Sequence, residues 1–333
     1  MDFLINKSEK IFLAGANGMV GSSIKRTLQK YDYGLKKYDG KLLTPTRNEL
    51  NLLDYSSVYS WMEKNSPTIV IIAAAKVGGI LANSYFPGDF LLENLKIQTN
   101  IIDSSWKLGV KRLLFLGSSC IYPKYANQPI SEEELLNGSL EETNQWYAIS
   151  KISGIKLCES LRKQYGFDAI SLMPTNLYGP NDNYHPQNSH VLPALINRFK
   201  NAKESNLNAV TCWGTGNALR EFLYVDDLAE AVIFCLRNWD PSSSKAPKDN
   251  KGNALNFLNV GTGLEISIKD LAHKISKKIG FKGEVLWDIS KPDGTPRKLL
   301  NIKKISELGW KPKYDLDKGL EKTLINLKNK MIF

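Results

Sequence analysis

The feature that most constrains this chain is a set of three glycines placed directly behind its first apolar segment. Lys10–Ala14 is a short apolar run, and Gly15-Ala16-Asn17-Gly18-Met19-Val20-Gly21 follows it with the spacing GxxGxxG. An apolar run, a glycine turn and then a helix-forming stretch, Met19–Gln29, predict a strand that turns sharply into a helix. The first glycine permits a tight turn. The second lets a pyrophosphate approach the backbone at the helix N-terminus, and the third lets helix pack closely on strand. Taken alone the spacing is a common glycine-rich turn; its place behind the first strand makes it a dinucleotide site.

The rest of the first half continues that rhythm. Strands are expected at Lys41–Thr44, Thr68–Ala74, Arg112–Leu116 and Ala169–Met173. Helices are expected from Asp54, a plausible N-cap, to Asn65, over most of Asn83–Leu108, and over Trp146–Tyr165. Alternation of this kind gives an α/β fold: a doubly wound parallel sheet of the Rossmann type with helices on both faces. Beyond Pro180 the pattern loosens. Helices are expected near Pro193–Asn201, at Asp226–Leu236 and from the capping pair Ser267/Asp270 to Ile279, with a strand at Asn256–Val260. We read residues 1–180 as the nicotinamide-binding domain with a returning segment near 209–240. Residues 181–333 are read mainly as a smaller α/β substrate-binding region.

Composition excludes several classes. The net charge is +10, but the lysines are spread along the chain, so a lysine-rich enzyme surface is expected and not a nucleic-acid face. Anionic ligands would still be drawn to it. The four cysteines, Cys120, Cys158, Cys212 and Cys235, form no CxxC pair, and with three histidines they make no metal pattern; no metal is expected. Ile69–Ala75, the most apolar stretch, is too short to span a bilayer, and no leader is visible, so a soluble cytoplasmic protein is expected.

The second strand bears on which nicotinamide is used. Enzymes for NAD usually carry an acid at its end, whereas Leu43-Thr44-Pro45-Thr46-Arg47 has none before Glu49. Arg47 could bind a 2′-phosphate, or be an exposed loop residue; the expectation is NADP(H). Asp54 could contact the adenine or serve only as a cap.

Tyr147-Ala148-Ile149-Ser150-Lys151 puts Tyr147 and Lys151 on one helical face. A free tyrosine titrates near ~10 and is a poor base at neutrality; a neighbouring ammonium is expected to favour its phenolate. Lys151 can also hold the nicotinamide ribose. Gly117-Ser118-Ser119-Cys120-Ile121-Tyr122 follows a strand, where ligands of such sheets bind, so Ser118 can complete a Ser–Tyr–Lys set, although a turn-capping serine is the plainer role.

With these residues in hand, the chain resembles the extended short-chain dehydrogenase/reductase family over nearly its whole length. It is most similar to the members that act on a GDP-linked 4-keto-6-deoxy sugar. The discriminating segments are Ala73–Ile80, Leu116–Pro123, Met173–Pro180, Asn188–Val191, Arg220–Phe222 and Lys291–Lys298. The resemblance implies epimerisation of GDP-4-keto-6-deoxymannose at C3 and C5, then reduction of C4 by NADPH. It implies that Cys120 and His190 are the acid–base pair for epimerisation. Ser118 and Tyr147 would stabilise the enolate, and Tyr147 would later protonate the C4 oxygen. Cofactor contacts implied are Leu116, Gly117, Ser118, Ser119, Lys151, Pro174, Thr175, Asn176, Leu177 and His190, beside the glycine turn. Substrate contacts implied are Arg198, Trp213, Arg220, Asp293 and Lys298, an arginine suiting a diphosphate through its paired donors. A homodimer is implied too. On the residues alone, Cys120 remains equally a small buried apolar residue, and His185 competes with His190.

Two departures stand out: Ala16 and Asn17 lie where relatives often have a basic residue, and Tyr31–Gly40 is an apparent surface insertion. Two other readings compete. One is a nucleotide-sugar 4-epimerase or dehydratase on the same scaffold, the dehydratase disfavoured by Ser119-Cys120 where an Asp-Glu pair is expected. The other is a non-catalytic Rossmann nucleotide sensor.

Overall fold

The computed structural model describes residues 3–185, 189–291 and 293–331. Asn188 and Pro292, both inside segments that carry the resemblance, lie outside the described residues.

The first half winds as β1 (Lys10–Ala14), α1 (Met19–Lys30), β2 (Lys41–Leu43), α2 (Tyr55–Asn65), β3 (Ile69–Ile72), α3 (Ile80–Tyr85), α4 (Pro87–Lys107), β4 (Arg112–Leu116), α5 (Gln145–Tyr165) and β5 (Ala169–Pro174). After β6 (Asn176–Tyr178) come α6 (Val191–Glu204), β7 (Ala209–Trp213), β8 (Leu219–Tyr224), α7 (Val225–Asn238), β9 (Phe257–Val260), β10 (Glu265–Ser267) and α8 (Ile268–Ile279). The chain closes with β11 (Glu284–Asp288), β12 (Arg297–Lys298), α9 (Lys303–Glu307) and α10 (Leu316–Met331).

A six-stranded sheet runs β2-β1-β3-β4-β5-β9, with every pairing parallel. All four residues of β3 and all five of β4 are buried, as strands covered on both faces must be. Helices α1 and α7 pack together, and α2, α4 and α5 pack together, so the sheet is clad by both sets. The strand order reverses between β1 and β3, which opens a crevice at their carboxyl ends.

Local chemistry sets the element ends. Asp54 caps α2 by accepting from Ser57 N at 2.9 Å, and Ser267 caps α8 by accepting from Asp270 N at 3.0 Å. The single helix expected over Asn83–Leu108 is two helices. Pro87 has no N–H to continue α3 and instead occupies the first turn of α4. The Tyr31–Gly40 insertion is more than a surface loop: Tyr33 is buried, Tyr31 Oη donates to Glu230 at 2.7 Å, and Asp32 pairs with Lys7 and Lys37.

A second core forms around β8, which pairs with β6, β10 and β12, while β7 pairs with β11. Phe199, Phe222, Tyr178, Tyr224 and Phe281 fill it. The chain returns to the large sheet's core through α7 and again through β9, whereas residues 209–222 stay with the second core. Arg220 and Lys298, on β8 and β12, are register partners. Behind them the buried Glu221 carboxylate accepts from Thr262 N at 2.6 Å, Gly263 N at 2.7 Å and Leu300 N at 2.9 Å. These partners make Glu221 a brace for the loops that carry Lys298.

Candidate active site

The glycine turn sits against the end of β3. Gly15 has φ +85°, and a Cβ there would lie 2.7 Å from Ala74 N. A Cβ on Gly21 would lie 2.0 Å from Gly15 O, whereas one on Gly18 would lie 3.6 Å away. The fold itself thus requires glycine at the first and third positions, while the middle one stays small for an approaching ligand. Gly18 caps α1 without a side-chain bond, and no acidic residue stands in the first turn. The positive helix end and its free N–H groups therefore suit a pyrophosphate. Ala16 is buried, Asn17 is exposed, and Met19 and Val20 are half-buried.

On the neighbouring β2, Arg47 is exposed on the turn that follows the strand. The Asp54 carboxylate is occupied by its cap, accepting from the backbone and hydroxyl of Ser57, and these bonds hold it below the usual carboxylate range. Its expected capping role is thus filled.

The carboxyl end of β4 supplies Leu116, Gly117, Ser118 and Ser119. Gly117 lies so close to Met173 that a Cβ would meet its sulfur at 2.3 Å. Ser118 does cap the short turn at Ser119–Ile121, accepting from Cys120 N at 3.2 Å. Capping and site placement coexist, because its hydroxyl also meets Tyr147. Pro174 closes β5, Thr175 N donates to Val260 O at 3.0 Å, and Asn176 Nδ2 donates to Glu221 O at 2.8 Å; Leu177 lies within β6.

Lys151 is buried and its Nζ donates to Leu116 O at 2.8 Å, 5.8 Å from the Tyr147 ring centre. Burial draws its ammonium down to about 7. Burial also raises the Tyr147 phenol above its ordinary value; Cys120 adds to the rise and the Ser118 hydrogen bond opposes it. This corrects the expectation of a lysine-stabilised phenolate. The Lys151 ammonium is turned to the Leu116 carbonyl and is itself weakened by burial, and the phenol shifts upward and not downward.

Cys120 is half-buried and is the meeting point of three elements. Asn144 Nδ2 and Lys298 Nζ each lie 3.8 Å from its sulfur, and Arg220 feels its charge. Burial lowers the Arg220 guanidinium, with Cys120 and Asp293 acting the other way. Asp293 accepts from Thr215 N and Oγ1, both at 2.7 Å. Ser118, Cys120, Tyr147, Lys151, Arg220 and Lys298 thus form one connected set.

His190 caps α6 at the end of the loop that leaves β6. It is exposed, and the protein packed around it displaces enough water to lower its imidazole below the usual value. Arg198, two turns on, donates to Thr211 O at 2.6 Å, and Trp213 at the end of β7 is 52% exposed, with Lys291 Nζ 6.0 Å from its ring. A cavity of about 360 Å³ lies between α6 and β7 beside Arg198. Another of about 700 Å³ lies elsewhere, by Glu133 and Lys304, whose charges already pair with each other.

Sequence reasoning missed Asn144. Its signal was an asparagine three residues before Tyr147, at the opening of the helix.

The epimerase model described as "NAD dependent epimerase/dehydratase family" matches residues 11–247. The chain belongs to that family. Within the family, its relatives include a probable GDP-L-fucose synthase 1 of Oryza sativa subsp. japonica, 53% identical over 96% of this chain and 92% of its own. The GDP-L-fucose synthase of Escherichia coli (strain K12) is 49% identical over 95% of both chains. Among solved structures, a GDP-L-fucose synthetase from Naegleria fowleri bound to NADP superposes with a TM-score of 0.84 at 25% identity, covering 98% of this chain and 96% of that one. Among the described residues no helix is long and apolar enough to cross a membrane, and no group of His, Cys, Asp and Glu could hold a metal ion.

Proposed function

We propose that this chain is an NADPH-dependent enzyme that converts GDP-4-keto-6-deoxy-D-mannose to GDP-L-fucose. It inverts C3 and C5 and then reduces C4. The observation that carries this reading is the connected set in which the Cys120 sulfur neighbours the Tyr147 phenol and two cations, Lys298 and Arg220. The identities of about half to relatives named GDP-L-fucose synthase support the substrate.

The cations Lys298 and Arg220, with Arg198, hold the diphosphate, while Trp213 and Asp293 flank the nucleotide sugar. The C4 ketone acidifies the neighbouring C–H bonds. Cys120, as thiolate, takes a proton from carbon; the C–H electron pair becomes a C=C bond and the charge passes to the C4 oxygen. Ser118 and Tyr147 donate hydrogen bonds to that enolate oxygen. His190, protonated from solvent, returns a proton on the opposite face, and the inversion is complete. NADPH, when bound, supplies the hydride for C4, and the neutral phenol of Tyr147 gives its proton to the C4 oxygen. The glycine turn (Gly15 to Gly21), Leu116 to Ser119, Lys151, Pro174 to Leu177 and His190 hold the cofactor, and Arg47 meets its 2′-phosphate.

We further propose a cytoplasmic homodimer that binds neither nucleic acid nor membrane. Four free cysteines suit a reducing compartment. Leu92 on α4 and Trp146 and Ile149 on α5 are exposed, and the two helices pack together, which suits burial of these side chains against a second copy. The division into a cofactor region, residues 1–180 with a returning segment, and a substrate region beyond it is part of the same proposal.

Incubation with GDP-4-keto-6-deoxymannose and NADPH tests the function. Loss of reduced cofactor with GDP-L-fucose as product is expected. Cys120→Ser should suppress solvent-deuterium incorporation at C3 and C5 far more than it slows oxidation of GDP-L-fucose by NADP⁺. Undiminished exchange in that variant would remove Cys120 from the mechanism.

A further inference from the structure

Asn144 stands at the N-cap of α5, the helix that carries Tyr147 and Lys151 three and seven residues on, on the same face. An asparagine at this position ordinarily turns its carbonyl onto an N–H of the first turn. Here no such cap bond forms. The amide instead faces Cys120: Nδ2 lies 3.8 Å from its Sγ, and Oδ1 is buried without a hydrogen-bond partner. The helix therefore forgoes its cap, and a buried carbonyl is left unpaired. Each is unfavourable for the protein by itself. Both become useful when a sugar hydroxyl enters beside the sulfur.

Lys298 approaches the same sulfur at 3.8 Å from β12. The sulfur thus receives donors from two unrelated elements. Both donors are aimed at the atom that takes the proton from carbon, and together they fix where it stands.

We propose that Asn144 is a positioning residue for epimerisation: Nδ2 aims a hydrogen bond at the Cys120 sulfur, and Oδ1 accepts a hydroxyl of the sugar ring next to the carbon being deprotonated. This rests on the function proposed above and adds a residue that the sequence reading did not assign.

Asn144→Asp separates this role from a structural one. Aspartate matches asparagine in size and is at least as good an N-cap, and its charge suits a helix N-terminus. It loses the N–H donor and sets a carboxylate beside the sulfur. Three readouts are measured: solvent-deuterium incorporation at C3 and C5, oxidation of GDP-L-fucose by NADP⁺, and alkylation of Cys120 by iodoacetamide at pH 7. Cys158, Cys212 and Cys235 are buried, so alkylation reports on Cys120. Deuterium incorporation should fall roughly ten- to hundred-fold, as expected for loss of a charge-assisted hydrogen bond. That fall should exceed the loss in oxidation at least tenfold. Alkylation should slow, and the melting temperature should not drop. Wild-type rates of exchange and alkylation would overturn the proposal, and so would equal losses in both reactions with a lower melting temperature. If the wild-type protein neither exchanges deuterium nor oxidises GDP-L-fucose, the proposed function fails. Alkylation still decides whether Asn144 acts on the sulfur.

Discussion

Replacing Gly21 by alanine should damage this protein in a way that replacing Gly18 does not. A methyl on Gly21 would lie 2.0 Å from Gly15 O, 2.6 Å from Gly15 C and 2.8 Å from Ala16 Cα. Real Cβ atoms essentially never approach within 3.0 Å, so α1 and the turn must separate by about 1 Å. Overpacking of this kind costs about 1–3 kcal/mol. Alanine's better helix propensity returns up to about 1 kcal/mol. A net loss of about 1–2 kcal/mol, against an unfolding entropy of about 0.7 kcal/mol/K for a chain of 333 residues, should lower the melting temperature of the ligand-free protein by about 1.5–3 °C. The same displacement misaligns the turn's N–H groups with a pyrophosphate. Hydrogen bonds to charged groups are worth about 1.5–3 kcal/mol each, so NADPH should bind at least tenfold more weakly. Gly18 is the internal control. Its Cβ would stand 3.6 Å from Gly15 O with φ −74°, which any residue adopts. Gly18→Ala should therefore leave the ligand-free melting temperature nearly unchanged while still weakening NADPH, because its methyl fills the side from which the ligand approaches. Differential scanning fluorimetry without cofactor and NADPH fluorescence titration measure the two quantities. Equal ligand-free stability of the two variants would refute the division of labour between the glycines.

Arg47→Ala should raise the KM for NADPH much more than that for NADH; equal effects on both would count against recognition of the 2′-phosphate. Stability should also carry a signature of Lys151. Burial draws its ammonium down to about 7, so between pH 7 and about 10 the unfolded chain binds a proton there that the folded chain does not. Stability from this residue therefore rises with pH across that window, by at most about 1.4 kcal/mol per unit. Lys151→Met should flatten that rise in a plot of melting temperature against pH for the ligand-free protein, and identical slopes would sink the idea.

Much of the site was legible because its residues lie on strictly local patterns. The GxxGxxG turn, the Tyr147/Lys151 face and the capping residues Asp54 and Ser267 each depend on neighbours within a helical turn or two, and each forms as read. What was not legible depends on contacts between distant segments. Lys298 lies 178 residues from Cys120 and Asn144 lies 24 away, yet both meet its sulfur. The break between α3 and α4 was written in Pro87, but a periodic apolar pattern masks a single missing N–H.

The order of strands and helices, and the tight glycine turn behind β1, were determined by the sequence, since periodicity and glycine geometry are local. The charge state of the chemistry was decided by the tertiary structure. Spacing put an ammonium one helical turn from a phenol and suggested a phenolate. Burial of the phenol, with Cys120 beside it, raises it instead, while the ammonium is turned to a backbone carbonyl of β4. Desolvation depends on everything packed around a group, and no interval along the chain encodes it.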